Sequence, residues 1–331
     1  MKEPAITLSL LACLVLAAGW TSRLGQSKQE LRTDKKQPAY FKVPIWMRQG
    51  DNSFQTDLKA GGFQLLGDRV PLKISSFLPP ESPTLLFVVS DTVGEIGNIN
   101  QARMALRREL VKLGPQYWVG LISAQEHLTV LQDPTPDREL VLSKIEALTE
   151  IGKAGLLESI EPVADFTTGI LSRSNVRVAV IFITDSDIGN YRTDYLNPPV
   201  NASDSRDLSR RFAGRALQEK ISRMVAALAK FQAPIFIVHI DPGRDPLNRT
   251  YQNGLKQFAE AVGGQLFLSK TVGDIPAVVQ EAFKWVESFY LLGLTVPWTK
   301  NGYIRIQVSV PQGGSVDPPG RLIYPSRLFF P

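Results

Sequence analysis

Cysteine is almost missing from this sequence. Of its 331 residues only Cys13 is a cysteine, and it sits in an apolar stretch near the start. A disulfide framework, a cysteine-based zinc centre and a cysteine nucleophile beyond that stretch are therefore excluded. Histidine is nearly as scarce, with His127 and His239 far apart in sequence. They read as a surface residue and a satisfied strand-end residue, not as metal ligands or members of a triad. A dominant charge is also missing. Lys and Arg number 37 against 32 Asp and Glu, a formal net charge of +5, and the basic residues are spread along the chain. That leaves no nucleic-acid footprint. There is no Gly-x-Ser-x-Gly elbow, no Walker loop and no His-Glu-x-x-His helix. Beyond the first twenty positions no apolar run approaches the about 20 residues of a membrane helix.

What remains is an ordinary globular composition, 44% hydrophobic and 21% charged, which supports a packed core and argues against disorder. Lys2 precedes Ala5 to Trp20, which is nearly free of charge and ends in the small residues Ala17, Ala18 and Gly19. That is the pattern of a secretory leader. Two alternatives stay open. The stretch could remain as a membrane anchor, although it is short for a span. Leu10-Leu11-Ala12-Cys13 also looks like a lipoprotein box, but apolar residues follow it where a lipidated N-terminus is normally polar. All three readings place the rest of the chain outside the cytoplasm, in the periplasm, at the cell surface or secreted. The membrane is touched only through the N-terminal segment, if it stays uncleaved. Residues 1–25 are thus expected as leader or anchor and 26–39 as a flexible spacer.

The remainder divides by pattern into three parts. Residues 40–80 hold short β-prone runs. Phe63 to Leu66 leads through Gly67-Asp68 to Val70 to Phe77, which predicts a hairpin. Residues 81–288 alternate continuous apolar runs with helical stretches. The runs are Leu85 to Ser90, Trp118 to Ser123, Val176 to Thr184, Ile235 to Ile240 and Gln265 to Leu268, the pattern of strands buried on both faces. Helices are expected at Ala102 to Leu113, Arg138 to Leu148, Leu156 to Leu171, Asp207 to Phe231, Leu255 to Val262 and Ile275 to Tyr290. Such alternation predicts an α/β, doubly wound, mostly parallel sheet. Only five residues separate Val119–Ile122 from Leu128–Leu131, too few for a helical crossover, so that pair should be an antiparallel hairpin at the sheet edge. Residues 289–331 return to strands, and Tyr303 to Val310 alternates with period two. Neither flanking β segment can bury a core alone. They are expected to pack together as a small β domain with the α/β domain inserted between them.

In open parallel sheets ligands bind beyond the carboxyl ends of the strands. Here those ends are acidic. Asp91 and Glu95 follow the first strand, Asp185 and Asp187 the central one, and Asp241 the next, while Ser123 and Glu126 follow the hairpin's first strand. Close like charges ask for a cation or a basic side chain. An all-oxygen set of Asp91, Glu95 and Asp185 would take a hard cation such as Mg²⁺, Mn²⁺ or Ca²⁺. Two other readings stay open. Asp91 and Asp185 could accept backbone N–H groups at strand-to-helix turns, or they could be held by a basic residue such as Lys153. Ile188 to Arg211 is a polar stretch with Tyr191, Arg192 and Tyr195. A loop carrying aromatic and Arg residues suits a protein partner, and a solvated insertion is the other reading. Asn201-Ala202-Ser203 and Asn248-Arg249-Thr250 match glycosylation acceptors, a triplet common by chance.

The order of strand, Asp91-Thr92-Val93-Gly94 loop, helix, hairpin, helices and strand ending in Thr184-Asp185 resembles a von Willebrand factor type A (VWFA) domain. The flanks are similar to those of a bacterial VWFA-related family best known from acidobacteria. The likeness is carried by Phe63 to Gly67 with Val70 to Phe77, by Gln132 to Leu140, and by Phe289 to Leu294 with Gly302 to Val308. It spans about residues 40–327. The resemblance implies a metal-ion-dependent adhesion site of Asp-x-Ser-x-Ser, a Thr and a second Asp. Carried over, the two Asp are Asp91 and Asp185. Val93 and Glu95 stand at the Ser positions, and the Thr position falls near Ala154, so the site is degenerate. The resemblance implies an exported, non-catalytic module that binds a protein partner. The alternatives are a structural component of an envelope assembly and a metal-dependent hydrolase using Asp91. A dehalogenase-like enzyme would need a second Asp where Val93 stands.

Overall fold

The structure, a computed structural model, describes residues 39–125, 127–149, 152–187, 208–296, 302–310 and 320–330. The expected leader, the spacer up to residue 38, Glu126, the sequon at Asn201 and the loop residues Tyr191, Arg192 and Tyr195 lie outside them. Along the chain come β1 (Ala39–Arg48), β2 (Phe54–Gln55), β3 (Gln64–Gly67), β4 (Val70–Pro71) and β5 (Lys73–Leu78). The central part runs β6 (Thr84–Asp91), α1 (Ile96–Lys112), β7 (Tyr117–Ser123), β8 (Thr129–Thr135), α2 (Arg138–Glu146), α3 (Leu156–Arg173) and β9 (Arg177–Thr184). It continues with α4 (Leu208–Leu228), β10 (Ile235–His239), α5 (Pro246–Ala261), β11 (Leu266–Leu268) and α6 (Ile275–Ser288). Last are β12 (Tyr290–Val296), β13 (Gly302–Ser309), β14 (Arg321–Ile323) and β15 (Arg327–Phe330).

The central sheet has the order β11-β10-β9-β6-β7-β8. Its pairings are parallel except β7 with β8, which is antiparallel at the edge as expected. Every residue of β9 is buried, because helices cover both faces and leave no solvent side for polar alternation. The fold class is therefore α/β, a mostly parallel sheet of the doubly wound kind.

The flanking strands interleave. One sheet has the order β14-β1-β12-β5 with β2 on β1, and another has β15-β13-β3-β4. Each sets C-terminal strands between or beside N-terminal ones, as the sequence predicts. Phe41, Val43 and Ile45 of β1 join Leu65 of β3, Leu292 of β12 and Ile306 of β13 in a second core. The other face of β1 packs on the α/β part. There Trp46 is 0% exposed, sits 5.3 Å from Trp285 and donates its indole N–H to the Trp285 carbonyl. Lys42 points the same way and donates its ammonium to the carbonyls of Leu171 (2.7 Å) and Ser174 (2.5 Å), closing the end of α3. One strand thus serves both cores.

Three features depart most from the sequence reading. α1 starts at Ile96, not Ala102, since Gly97, Asn98 and Asn100 read as loop although Asn98 and Ile99 already donate to the Glu95 carbonyl. α5 starts at Pro246, not Leu255. Asp245 accepts from the Asn248 amide at 3.1 Å, and the Asp-Pro pair is an N-terminal signal that the pattern search passed over. The expected hairpin after Gly67 forms, but it is brief. β3 pairs with β4 only over Gly67↔Val70 and Leu66↔Pro71, and β5 leaves to pair with β12 in the other sheet.

Candidate functional site

Asp91 closes β6 and Thr184 closes β9, and the parallel register sets the two residues side by side. That register explains the first contact: the Thr184 hydroxyl donates to Asp91 Oδ2 at 2.8 Å. The other carboxylate oxygen, Oδ1, accepts the Gly155 amide at 2.7 Å, at the N-cap of α3. That bond to the helix N-cap makes Asp91 the anchor of α3. The approach is close enough to demand glycine, because a Cβ on residue 155 would lie 2.4 Å from the Ala124 carbonyl oxygen. Asp91 is 0% exposed. Burial pushes its carboxyl up to about 8, against the pull of the Gly155 amide and the Thr184 hydroxyl.

Asp185 does the corresponding job one loop over. Its Oδ1 and Oδ2 accept the Val93 amide at 3.0 Å, and Oδ2 accepts the Gly94 amide at 2.7 Å. Burial raises its carboxyl too, with Asp241 adding in the same direction, while the two amides oppose. Gln125 ties the neighbouring loop in by donating its amide to the Thr92 carbonyl. Beside them His239 is buried with Nε2 2.8 Å from the Ser186 carbonyl oxygen, and burial lowers its pKa. The Ser186 hydroxyl lies 2.8 Å from the Tyr251 hydroxyl. His127 is exposed. The edge is thus a closed hydrogen-bond network that braces the loops after β6 and β9 and the start of α3.

The structure brings Asp91 and Asp185 together but leaves Glu95 exposed at the N-cap of α1, making no side-chain capping bond. Among the described residues no group of three or more His, Cys, Asp or Glu is arranged to hold a metal ion. Lys153 is exposed and forms no ion pair with either carboxylate among the described residues. The donor set does not fit an adhesion-type cation. Val93 contributes a backbone N–H where a hydroxyl oxygen is needed, Ala154 has no side-chain ligand atom, and both carboxylates point their oxygens at N–H and O–H groups. Sequence reasoning missed Thr184 and Gly155 as the partners of Asp91. The legible signal was Thr184-Asp185 at the strand end, whose meaning depends on the register with β6.

No helix among the described residues is long and apolar enough to cross a membrane. No protein-family model matches the chain, and no curated protein is similar to it in sequence. Solved structures do resemble it at a distance. The vWF domain of the type V pili tip protein Mfa5 from Porphyromonas gingivalis is 14% identical, over 61% of this chain and 93% of that one, with a TM-score of 0.40. The conserved hypothetical protein BatB from Bacteroides thetaiotaomicron is 17% identical, over 62% and 99%, with a TM-score of 0.38. A von Willebrand factor type A protein from Catenulispora acidiphila is 10% identical, over 88% and 74%, with a TM-score of 0.39. These likenesses are faint, and the strand order above defines the architecture without them.

Proposed function

We propose that this chain is an exported, non-catalytic protein-binding module that presents the carboxyl edge of its central sheet to a partner, without metal. The observation that carries the reading is that both oxygens of Asp91 and of Asp185 already accept loop N–H or O–H groups. A carboxylate that acts on a substrate or cation must turn free lone pairs to it. These two spend theirs on bracing loops, and Asp91 has no solvent access. A braced edge is a rigid platform for surface recognition. Exposed on it are Glu95, Ile96 (53% exposed), Asp241 and Arg244. Tyr191, Arg192 and Tyr195 follow β9 in the sequence, and this reading takes them as part of the same contact. Export rests on the N-terminal leader.

The test has two arms. Thermal melts of the full chain in EDTA, Mg²⁺, Mn²⁺ and Ca²⁺ should share one midpoint, because only a ligand of the native state raises it. A rise with one cation that vanishes in Asp91→Asn would restore the metal. In the second arm, immobilised chain captures its partner from envelope extract. The Ile96→Asp/Arg244→Glu variant should lose that partner while Arg173→Glu, at the far end of α3, keeps it. The opposite pattern would remove the binding face from this edge.

A further inference from the structure

The outer face of the β15-β13-β3-β4 sheet gathers positive charge. β13 alternates, with Ile304, Ile306 and Val308 buried and Tyr303, Arg305 and Gln307 exposed. Arg305 stands directly opposite Arg327 of β15 in the antiparallel register. Arg69 joins them from the two-residue turn between β3 and β4. That turn is fastened to β13, since the Asp68 amide donates to the Arg305 carbonyl at 2.9 Å and Asp68 Oδ1 accepts the Arg305 amide at 3.1 Å. The three arginines, with Asp68, Tyr303 and Gln307, line a cavity of about 410 Å³.

Two features of this arrangement work against stability. Like charges directly opposite on paired strands repel. Asp68 and Arg69 both hold positive φ, 44° and 71°, as a type I′ turn needs, and a side chain there is strained where glycine is not. Among the described residues no acidic group forms an ion pair with any of the three arginines. Strain and an excess of like charge, three arginines against the single Asp68, kept together are the marks of a site whose further counter-charge arrives from outside. A second cavity of about 390 Å³ adjoins the first and shares Tyr303 and Arg327. Its walls include Val225, Ala226, Ala261 and Pro325, a small apolar hollow.

We propose that these joined cavities bind an acidic peptide segment of a partner protein, with carboxylates on Arg69, Arg305 and Arg327 and an apolar side chain in the hollow. Guanidinium forks pair bidentately with carboxylates. Tyr303, 50% exposed and 5.1 Å from the Phe329 ring, supplies an aromatic shelf of the kind enriched at binding hot spots. Alternate residues of β13 stand about 7 Å apart, the spacing of side chains along one face of an extended peptide. The rim, with Gln307, Gln257 and Glu260, is polar, which suits a peptide better than lipid tails. The site shares no residue with the carboxyl edge, and either reading can fail alone.

The experiment titrates the full chain against fluorescein-labelled Glu-Glu-Leu-Glu-Leu-Glu by anisotropy. Saturable binding is expected, and none to the peptide with Lys for Glu. Arg305→Gln and Arg327→Gln should each weaken it about tenfold, the loss of one charge-assisted pair. Arg69→Gly should weaken it as much while keeping or raising the melting midpoint, because glycine accepts the positive φ; a misfolded variant could not do both. Absence of saturable binding, an affinity unchanged from wild type in all three variants, or displacement by inorganic phosphate at the peptide's own concentration would overturn the proposal. So would capture by phosphatidylglycerol vesicles or heparin in preference to the peptide.

Discussion

The carboxyl edge of the central sheet and the outer face of the small sheet both concentrate charge, and they use it in opposite ways. At the edge, Asp91 and Asp185 are buried and every oxygen meets an N–H or O–H donor. On the small sheet, Arg69, Arg305 and Arg327 are exposed around one cavity, with Arg305 set against Arg327. The first arrangement stabilises the fold, because each buried oxygen is engaged by a donor from inside the protein. The second detracts from the fold, because exposed like charges gain nothing from one another. Residue type alone would rank the aspartates as the functional group. Satisfaction of hydrogen bonds reverses that ranking.

Substitutions can break this contrast, and their effects on stability should descend from one region to the other. Asp91→Ala should have the largest effect, about 3 kcal/mol lost in denaturant melts, since it strands the Gly155 amide and the Thr184 hydroxyl in the interior. Gly155→Ala should cost about 2 kcal/mol, as its Cβ meets the Ala124 carbonyl oxygen at 2.4 Å. Asp91→Asn separates charge from shape. Burial raises the native carboxyl to about 8, so the native state holds a proton that the unfolded chain releases near pH 4. The stabilisation is full below that lower value and is lost as pH climbs through about 8. The wild-type midpoint should therefore fall relative to that of Asp91→Asn between those limits. Arg69→Gly should carry the opposite sign, a gain of about 1 kcal/mol from relieved backbone strain. Arg305→Gln should move stability least, by under about 0.5 kcal/mol and towards gain, from removing the repulsion with Arg327. A loss of several kcal/mol in either arginine variant would mark that face as structural and erase the contrast.

The sequence by itself determined the strands and their class. β6, β7, β9 and β10 are unbroken apolar runs, and a strand with no polar alternation belongs in a sheet covered on both faces. The five-residue gap after Val119–Ile122 forced the antiparallel edge, because no helix fits in it. Clean alternation placed Tyr303, Arg305 and Gln307 on one side of β13. Helix starts were less legible. α1 and α5 begin in Gly, Asn and Pro residues, whose helical role comes from Glu95 and Asp245 at the caps and not from periodicity.

Pairing across the chain was decided only by the tertiary structure. That Asp91 meets Thr184 and Gly155, that Asp185 clamps Val93 and Gly94, and that Arg69 joins Arg305 and Arg327 all depend on registers between segments far apart in sequence. A carboxylate or guanidinium reads the same in sequence whether it is saturated or open. Its chemistry is set by which donors and charges the fold brings within hydrogen-bond reach, and by how much water the packing leaves beside it.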